Sequence, residues 1–294
     1  MTPQIRVADI PRLFSEGIED DVAPKSRRQR RAELLAESVR ERYRRRAHAM
    51  VDAIAGMRWA NLWPIVDIVA HDYLVKPEGL PDPQRALADP DGFCGIADDL
   101  RPATLLAAQS RGLFPCAPLG PIAWWAPAQR FAAHPARIAS SLALEDPATE
   151  RDLELSFDRD FEQVLVQSAG ERSGLTPRLM HAFADLFDAG SAHSFTLHAR
   201  GGRLLGGGFG VATGRCFVTQ HCFSLVPGAA KAALRLVSRQ LAAWDFAVHD
   251  IRPAAASGLG LEPLPRDEHA LLLAGHRGGG RPGLWIAEPP ALAA

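Results

Sequence analysis

No apolar run in these 294 residues approaches the roughly 20 that a membrane span requires, and the four cysteines, Cys94, Cys116, Cys216 and Cys222, form no CxxC pair. With no secretory leader ahead of them, disulfides and a structural zinc site are not expected, and a soluble, cytoplasmic protein is. A dominant charge sign is also lacking. The net charge is −1 and the sequence pI about 6.8, so whole-chain electrostatics neither demand nor exclude nucleic acid. There is no internal repeat, no GxSxG and no spaced Cys–His–Asn set.

What is present is enough apolar material, 47% of residues, for one large or two modest domains. The most informative stretch is Arg200 to Arg252. Two β-rich runs, Leu204 to Val211 and Arg215 to Phe223, flank the turn dipeptide Thr213-Gly214, which predicts a hairpin within a meander. From Gly228 to Ala243, Ala229, Ala232, Ala233, Leu236, Val237 and Leu241 recur at three- and four-residue spacing, which predicts a helix packing one stripe on that sheet. Phe246 to Ile251 reads as a short strand. Strand, strand, helix, strand is shared by many α/β proteins, among them acyltransferases that work where neighbouring strands splay.

Charge is local rather than global. Lys25 to Arg46 holds ten basic residues against Glu33, Glu37 and Glu41, a local +7. The i, i+4 glutamates and the partial stripe Leu34, Leu35, Val39 and Tyr43 predict a helix from about Ser26 to Gly56. Such a helix is either a solvated, salt-bridged surface or a phosphate-backbone contact. Trp59, Trp63 and Ile65 to Ala70 follow, then a loop with Pro77, Pro81, Pro83 and Pro90 that marks a boundary. A helix opened near Asp99 and Pro102 closes near Gly112. Adjacent Trp124 and Trp125 on an extended segment place one ring in a core and the other toward a cleft, unless both are buried. Leu153 to Phe157 reads as a strand and Phe161 to Ser168 as a helix. Thr176 caps a helix from Pro177 to Asp188, and His193 to Ala199 is the strand entering the hairpin.

The blocks DGFCGIADDLRP, RGLFP, PIAWWAP with Arg130, LTPRLMHAFADLFDAGSAHS, GGGFGVATGRCFVTQHCFS with Lys231, and GLGLEPLPR stand in order between Asp91 and about Leu273. In that order the chain resembles the leucyl/phenylalanyl-tRNA–protein transferase family, whose members move an amino acid from aminoacyl-tRNA to a protein N-terminus. The resemblance implies an α+β protein with a catalytic lobe like that of acyl-CoA N-acyltransferases (GNAT-like) and a smaller α/β lobe before it. It divides the chain into a basic helical extension (1–80), a small lobe (81–150), a catalytic lobe (151–275) and a tail (276–294). It also implies an apolar Leu- or Phe-like donor residue, an acceptor beginning with Arg or Lys, no cofactor, no metal and a monomer. The ester is already activated, so positioning supplies much of the acceleration and no strong nucleophilic side chain is needed.

By that resemblance Phe217, Leu234 and Val237 line the pocket for the apolar side chain, although their spacing equally suits ordinary core. Trp124, Trp125 and Arg130 match the family's Trp-Trp and following arginine, and Ser224 its serine after phenylalanine. Where the family reads Gly-Glu-Ser-Met-Phe-Ser, this chain has Thr219, Gln220, His221, Cys222, Phe223 and Ser224, so the glutamate becomes Gln220. Gly174 stands where the family has a tryptophan. On the last strand Asp250 is the expected general base or amine-orienting residue, with His221 or His249 nearby; Arg252 takes the family's glutamine in one of two alignments. Arg27, Arg28, Arg30 and Arg31, with Lys231, are the expected tRNA contacts. Two readings stay open beside this one. An acyl-CoA acyltransferase would want more than the one glycine in Pro227 to Lys231 for a pyrophosphate loop, and a non-catalytic relative would explain Gln220 and Gly174.

Overall fold

The computed structural model describes residues 26–40, 42–44, 79–118, 121–143, 151–170 and 173–286, with 47, 68 and 70 singly. Helix α1 (Arg27–Leu34) begins with a capping box: the Ser26 backbone N–H donates to Gln29 Oε1, and Gln29 N–H donates back to Ser26 Oγ. The expected single helix to Gly56 is corrected here. Leu35 is the C-cap of α1 and is 1% exposed in the core, and the chain is not helical again until 39–40. Residues 41, 45–46 and 48–56 of that span, and Trp59, Trp63 and Pro77, lie outside the described residues.

Three short strands, β1 (Phe93–Ile96), β2 (Phe114–Cys116) and β3 (Ala123–Trp125), form a small sheet in the order β1-β3-β2. Helix α2 (Pro102–Gln109) lies between β1 and β2 in the chain, and Asp99 holds its first turn by accepting from Thr104 Oγ1 and the Arg101 N–H. The larger sheet has seven strands in the order β10-β4-β9-β8-β7-β6-β5. These are β4 (Gln129–Ala133), β5 (Leu153–Phe157), β6 (Ala192–Ala199), β7 (Leu204–Thr213), β8 (Cys216–Ser224), β9 (Val248–Ile251) and β10 (Leu264–Pro265). All neighbours are antiparallel except β8 and β9. The meander is therefore β5 through β8, with its last turn at Gly214-Arg215, one residue later than the dipeptide read from the sequence.

The remaining helices cover both faces. They are α3 (Pro135–Ser141), α4 (Phe161–Ser168), α5 (Pro177–Asp188), α6 (Ala229–Ala243), α7 (Pro253–Ala256) and α8 (Arg266–Ala274). The stripe of α6 buries Ala229, Ala232, Ala233, Leu234, Val237 and Leu241 against Phe195, Leu197, Phe217 and Phe246. On the opposite face Phe161, Phe183 and Leu186 of α4 and α5 meet Phe209 and Val211 of β7. Because β4 is a strand of the larger sheet and α3 packs on α6, that layer starts at Gln129, ahead of the boundary expected at 150. No described helix is long and apolar enough to cross a membrane.

The described part of the tail, residues 276–286, packs on the sheet. The Arg215 N–H donates to His276 O, and a Cβ on Gly214 would stand 2.4 Å from Arg277 O, so only glycine lets the strap pass over the hairpin turn. The strap carries Trp285, which is 1% exposed. Its ring stacks on His193 at 3.7 Å and meets Phe157, Phe217, Trp244 and Phe246 edge-on or tilted. Its backbone N–H donates to Asp158 Oδ2, which also contacts His193 Nδ1.

His249 on β9 sits in the same core, between Thr219 Oγ1 and Ser238 Oγ, each at 2.8 Å. Ser238 already donates to Leu234 O, so it accepts from Nδ1–H and the ring is the Nδ1–H tautomer. Burial pushes the His249 pKa down to about 3, against the pull of Asp250. Between that value and about 6.5 the unfolded chain binds a proton that the folded chain refuses, so stability falls as pH drops through 6.5.

Two outcomes follow for denaturation experiments. Trp285→Ala should lower stability by about 3–5 kcal/mol, whereas a loose tail would leave the melting temperature unchanged. Lowering pH from 7 to 5 should cost about 2 kcal/mol through His249. His249→Gln should flatten that part of the pH slope, and an unchanged slope would mean that His249 titrates normally.

Candidate active site

The parallel pair β8 and β9 hydrogen-bonds from Cys216/Val248 to Thr219/Ile251 and then parts. Beyond that point β8 continues to Ser224 paired only with β7, while β9 ends and Arg252-Pro253 turn into α7. The strands splay in a wedge, and α7 packs against β8 within it. The register of β7 and β8 also slips here: Gly210 faces Thr219 and Phe209 faces His221, so Gln220 is the extra residue of a bulge. A bulge re-aims side chains, and the consecutive residues Gln220 and His221 both reach Arg252 Nη1, through Oε1 at 3.4 Å and Nε2 at 3.2 Å. Gln220 Nε2 donates to Oε1 of Gln109, whose own Nε2 donates to Val211 O. The last residue of α2 is thereby tied to the hairpin.

A second cluster lies one strand away. Arg130 of β4 donates through Nη1 to Gly112 O and through Nη2 to Asp250 Oδ2 at 2.5 Å, and His269 Nε2 of α8 meets the same carboxylate oxygen at 2.8 Å. Arg130, Asp250 and His269 are 2%, 0% and 1% exposed. Phe114 joins the clusters, with the Arg252 guanidinium 3.9 Å and the Arg130 guanidinium 5.4 Å from its ring centre.

Electrostatics separate the roles. Burial alone raises the Asp250 carboxyl, but Arg130 and then His269 outweigh it and hold it well below the usual carboxylate range. A general base works best with a pKa near the operating pH, so a fully buried, ion-paired Asp250 does not fit the expected base. It fits a structural anchor for Arg130. Burial, reinforced by Arg252, pushes His221 well below its ordinary value and keeps it neutral, with Nε2 accepting from Arg252. Burial pushes the Cys222 thiol up to about 12, which leaves no thiolate at neutral pH.

The other expected residues are distributed as follows. Phe217, Leu234 and Val237 are each 0% exposed in the core that also holds Trp285. Trp124 is buried in the opposite core, and Trp125 is half-buried, edge-on to Phe93, donating to Cys116 O. Ser224 is exposed at the end of β8, and its Oγ accepts from the Ala230 N–H in the first turn of α6, where Lys231 is half-buried. Arg31 is corrected. It is 8% exposed and held by Glu162 of α4 and Asp188 of α5 at 2.8–3.1 Å, so it secures α1 to the body and is not available to a phosphate. Arg30 is exposed, and the side chains of Arg27 and Arg28 lie outside the described residues. At Gly174 a Cβ would stand 2.4 Å from Cys116 Sγ with φ at +66°, so the local backbone excludes a tryptophan there. Among the described residues no three His, Cys, Asp or Glu side chains gather as metal ligands.

Sequence reasoning missed Gln109, Phe114, His269 and Trp285. Gln109 ends a helix whose preceding residues Leu105 to Ala108 are all apolar, which was the one available sign that it faced something polar.

Two family models match the chain. The leucyl/phenylalanyl-tRNA protein transferase model covers residues 133–274, and the N-terminal domain model of the same transferase covers residues 98–128. Among curated relatives named leucyl/phenylalanyl-tRNA–protein transferase, that of Thiobacillus denitrificans is 37% identical over 66% of this chain and 88% of its own. That of Aromatoleum aromaticum is 34% identical over 74% and 96%, and that of Shewanella denitrificans 32% over 69% and 89%. The matched ranges contain Gln109, Phe114, Gln220, His221, Asp250, Arg252, His269 and the wedge between β8 and β9, with Arg130 in the short gap between the two models, and the chain belongs to the leucyl/phenylalanyl-tRNA–protein transferase family.

Proposed function

We propose that this protein transfers leucine or phenylalanine from its tRNA ester to the α-amino group of a protein or peptide N-terminus, using the wedge between β8 and β9. The observation that carries this is the family match, which runs continuously through the sheet that builds the wedge. In the reaction the neutral amine nitrogen forms a bond to the ester carbon, the bond to the ribose oxygen breaks, and the proton lost by the amine ends on that oxygen. Atoms balance without a cofactor. The GNAT-like description of the catalytic lobe belongs to the same proposal, supported by the one parallel pair in an otherwise antiparallel sheet.

An acyl-CoA donor has less support. The N-terminus of α6 would have to receive the pyrophosphate through free backbone N–H groups, yet the Ala230 N–H is taken by Ser224 Oγ and Gly228 is the single glycine of the turn. Acceptors beginning with Arg or Lys, and a role for the exposed Arg30 in holding tRNA, are part of the proposal.

Single-turnover transfer from leucyl- and phenylalanyl-tRNA to a peptide beginning with Arg should be acceptor-dependent, with no transfer from an acyl-CoA. Transfer from the thioester alone would overturn the reading. Arg30→Ala should reduce the salt slope of tRNA binding by about 1. Arg31→Ala should leave that slope unchanged and instead lower the melting temperature, since it removes the cation that Glu162 and Asp188 share across α1, α4 and α5. An Arg31→Ala variant with normal stability and a reduced slope would restore the phosphate role to Arg31.

A further inference from the structure

Three arginines are buried among the described residues. Arg31 faces Glu162 and Asp188, and Arg130 faces Asp250. Arg252, 4% exposed, has no carboxylate partner among the described residues. Its contacts are the Gln220 amide oxygen, the neutral His221 Nε2 and the Phe114 ring, and its Nε is buried with no hydrogen-bond partner. A guanidinium withdrawn from water and left without an anion is costly. A fold keeps such a group where an anion arrives during function, and Arg252 stands where β9 ends beside the wedge.

We propose that Arg252 is the electrostatic catalyst of the transfer reaction, its guanidinium stabilising the negative charge that develops on the ester carbonyl oxygen as the amine attacks. This rests on the transferase reading above. The ester carbonyl is neutral before attack and carries a full charge in the tetrahedral intermediate. A cation waiting for that charge therefore stabilises the transition state more than the bound ester, which is the condition for raising kcat. As the intermediate collapses, the carbonyl re-forms, the ribose oxygen departs with the proton released by the amine, and Arg252 returns to its unpaired state.

The same contacts give Gln220 a function. A glutamate on the bulge would pair with Arg252 and neutralise it, whereas the amide oxygen orients the guanidinium and leaves its charge in place. His221 acts alike, because as a neutral ring it accepts from Nη1 without adding a competing charge. Gln220 and His221 are thus positioning residues for Arg252.

The test uses the full chain, single-turnover transfer from leucyl-tRNA, melting temperature, and binding of two adenosine conjugates of leucine. One conjugate has a neutral amide in place of the ester, the other an anionic phosphonate that mimics the tetrahedral oxyanion. Arg252→Met is expected to fold with an equal or higher melting temperature, to lose about 10²–10³ in kcat with little change in KM, and to lose the preference for phosphonate over amide. Arg252→Lys should recover part of both. Gln220→Glu should raise the melting temperature and lower kcat by about tenfold or more, because the new carboxylate occupies Arg252. A kcat for Arg252→Met within about threefold of the parent, an unchanged phosphonate preference, or a faster Gln220→Glu enzyme would each overturn the proposal. If the parent protein transfers nothing from any aminoacyl-tRNA, the transferase reading fails. The two conjugates still decide whether Arg252 binds an oxyanion.

Discussion

Arg130, Asp250 and His269 come from β4, β9 and α8, elements separated by more than a hundred residues at their extremes, and meet with almost no solvent around them. Three polar groups withdrawn from water are tolerable only if each finds its partner. Their geometry therefore dictates how the outer strands sit. Asp250 must lie on β9 with its carboxylate toward β4, the Gly112 carbonyl must stay open to Arg130, and α8 must close over both. Phe114 then carries the constraint onward, since its ring contacts the Arg130 guanidinium and also that of Arg252, which lies beside Gln220 and His221. The wedge is shaped by a charge cluster that stands next to it.

The two clusters have opposite characters. In the first, Arg130 and His269 both meet Asp250 Oδ2, so the opposite charges are paired although Asp250 Oδ1 and Arg130 Nε are buried without hydrogen-bond partners, and Asp250 is held in its charged form. In the second, every neighbour of Arg252 is neutral. A site that must stabilise charge appearing only during reaction needs both: one set of groups whose charges cancel to fix positions, and one whose charge is left uncancelled.

Local elements were largely legible in the amino-acid sequence, because their signals are short-range. The alternation and turn at Gly214 announced the hairpin, the spacing of Ala229 to Leu241 announced α6, and Thr176-Pro177 announced the start of α5. The failures all involve partners distant in the chain. Arg31 looked like one more charge on a basic surface until Glu162 and Asp188 were brought to it, and the same docking, with Leu35 buried beside it, interrupted a helix whose i, i+4 charges favoured continuation. Trp285 stood in a stretch of glycine and arginine with no periodicity, so nothing local showed that it would fill the space between α6 and the sheet. Asp250 drew attention because it is polar under either alignment of the last strand, but that reading left out Arg130, whose place in the family pattern gave no hint that the two touch.

The most direct test of this account is a double-mutant cycle in denaturant with Arg130→Met and Asp250→Leu. If the cluster fixes the outer strands, each single variant should lose about 3–5 kcal/mol by leaving the other charge buried and unpaired, and the double variant far less than their sum, with a coupling of about 2 kcal/mol or more. Additive losses, with coupling near zero, would show that Arg130 and Asp250 are held in place by their surroundings and not by each other.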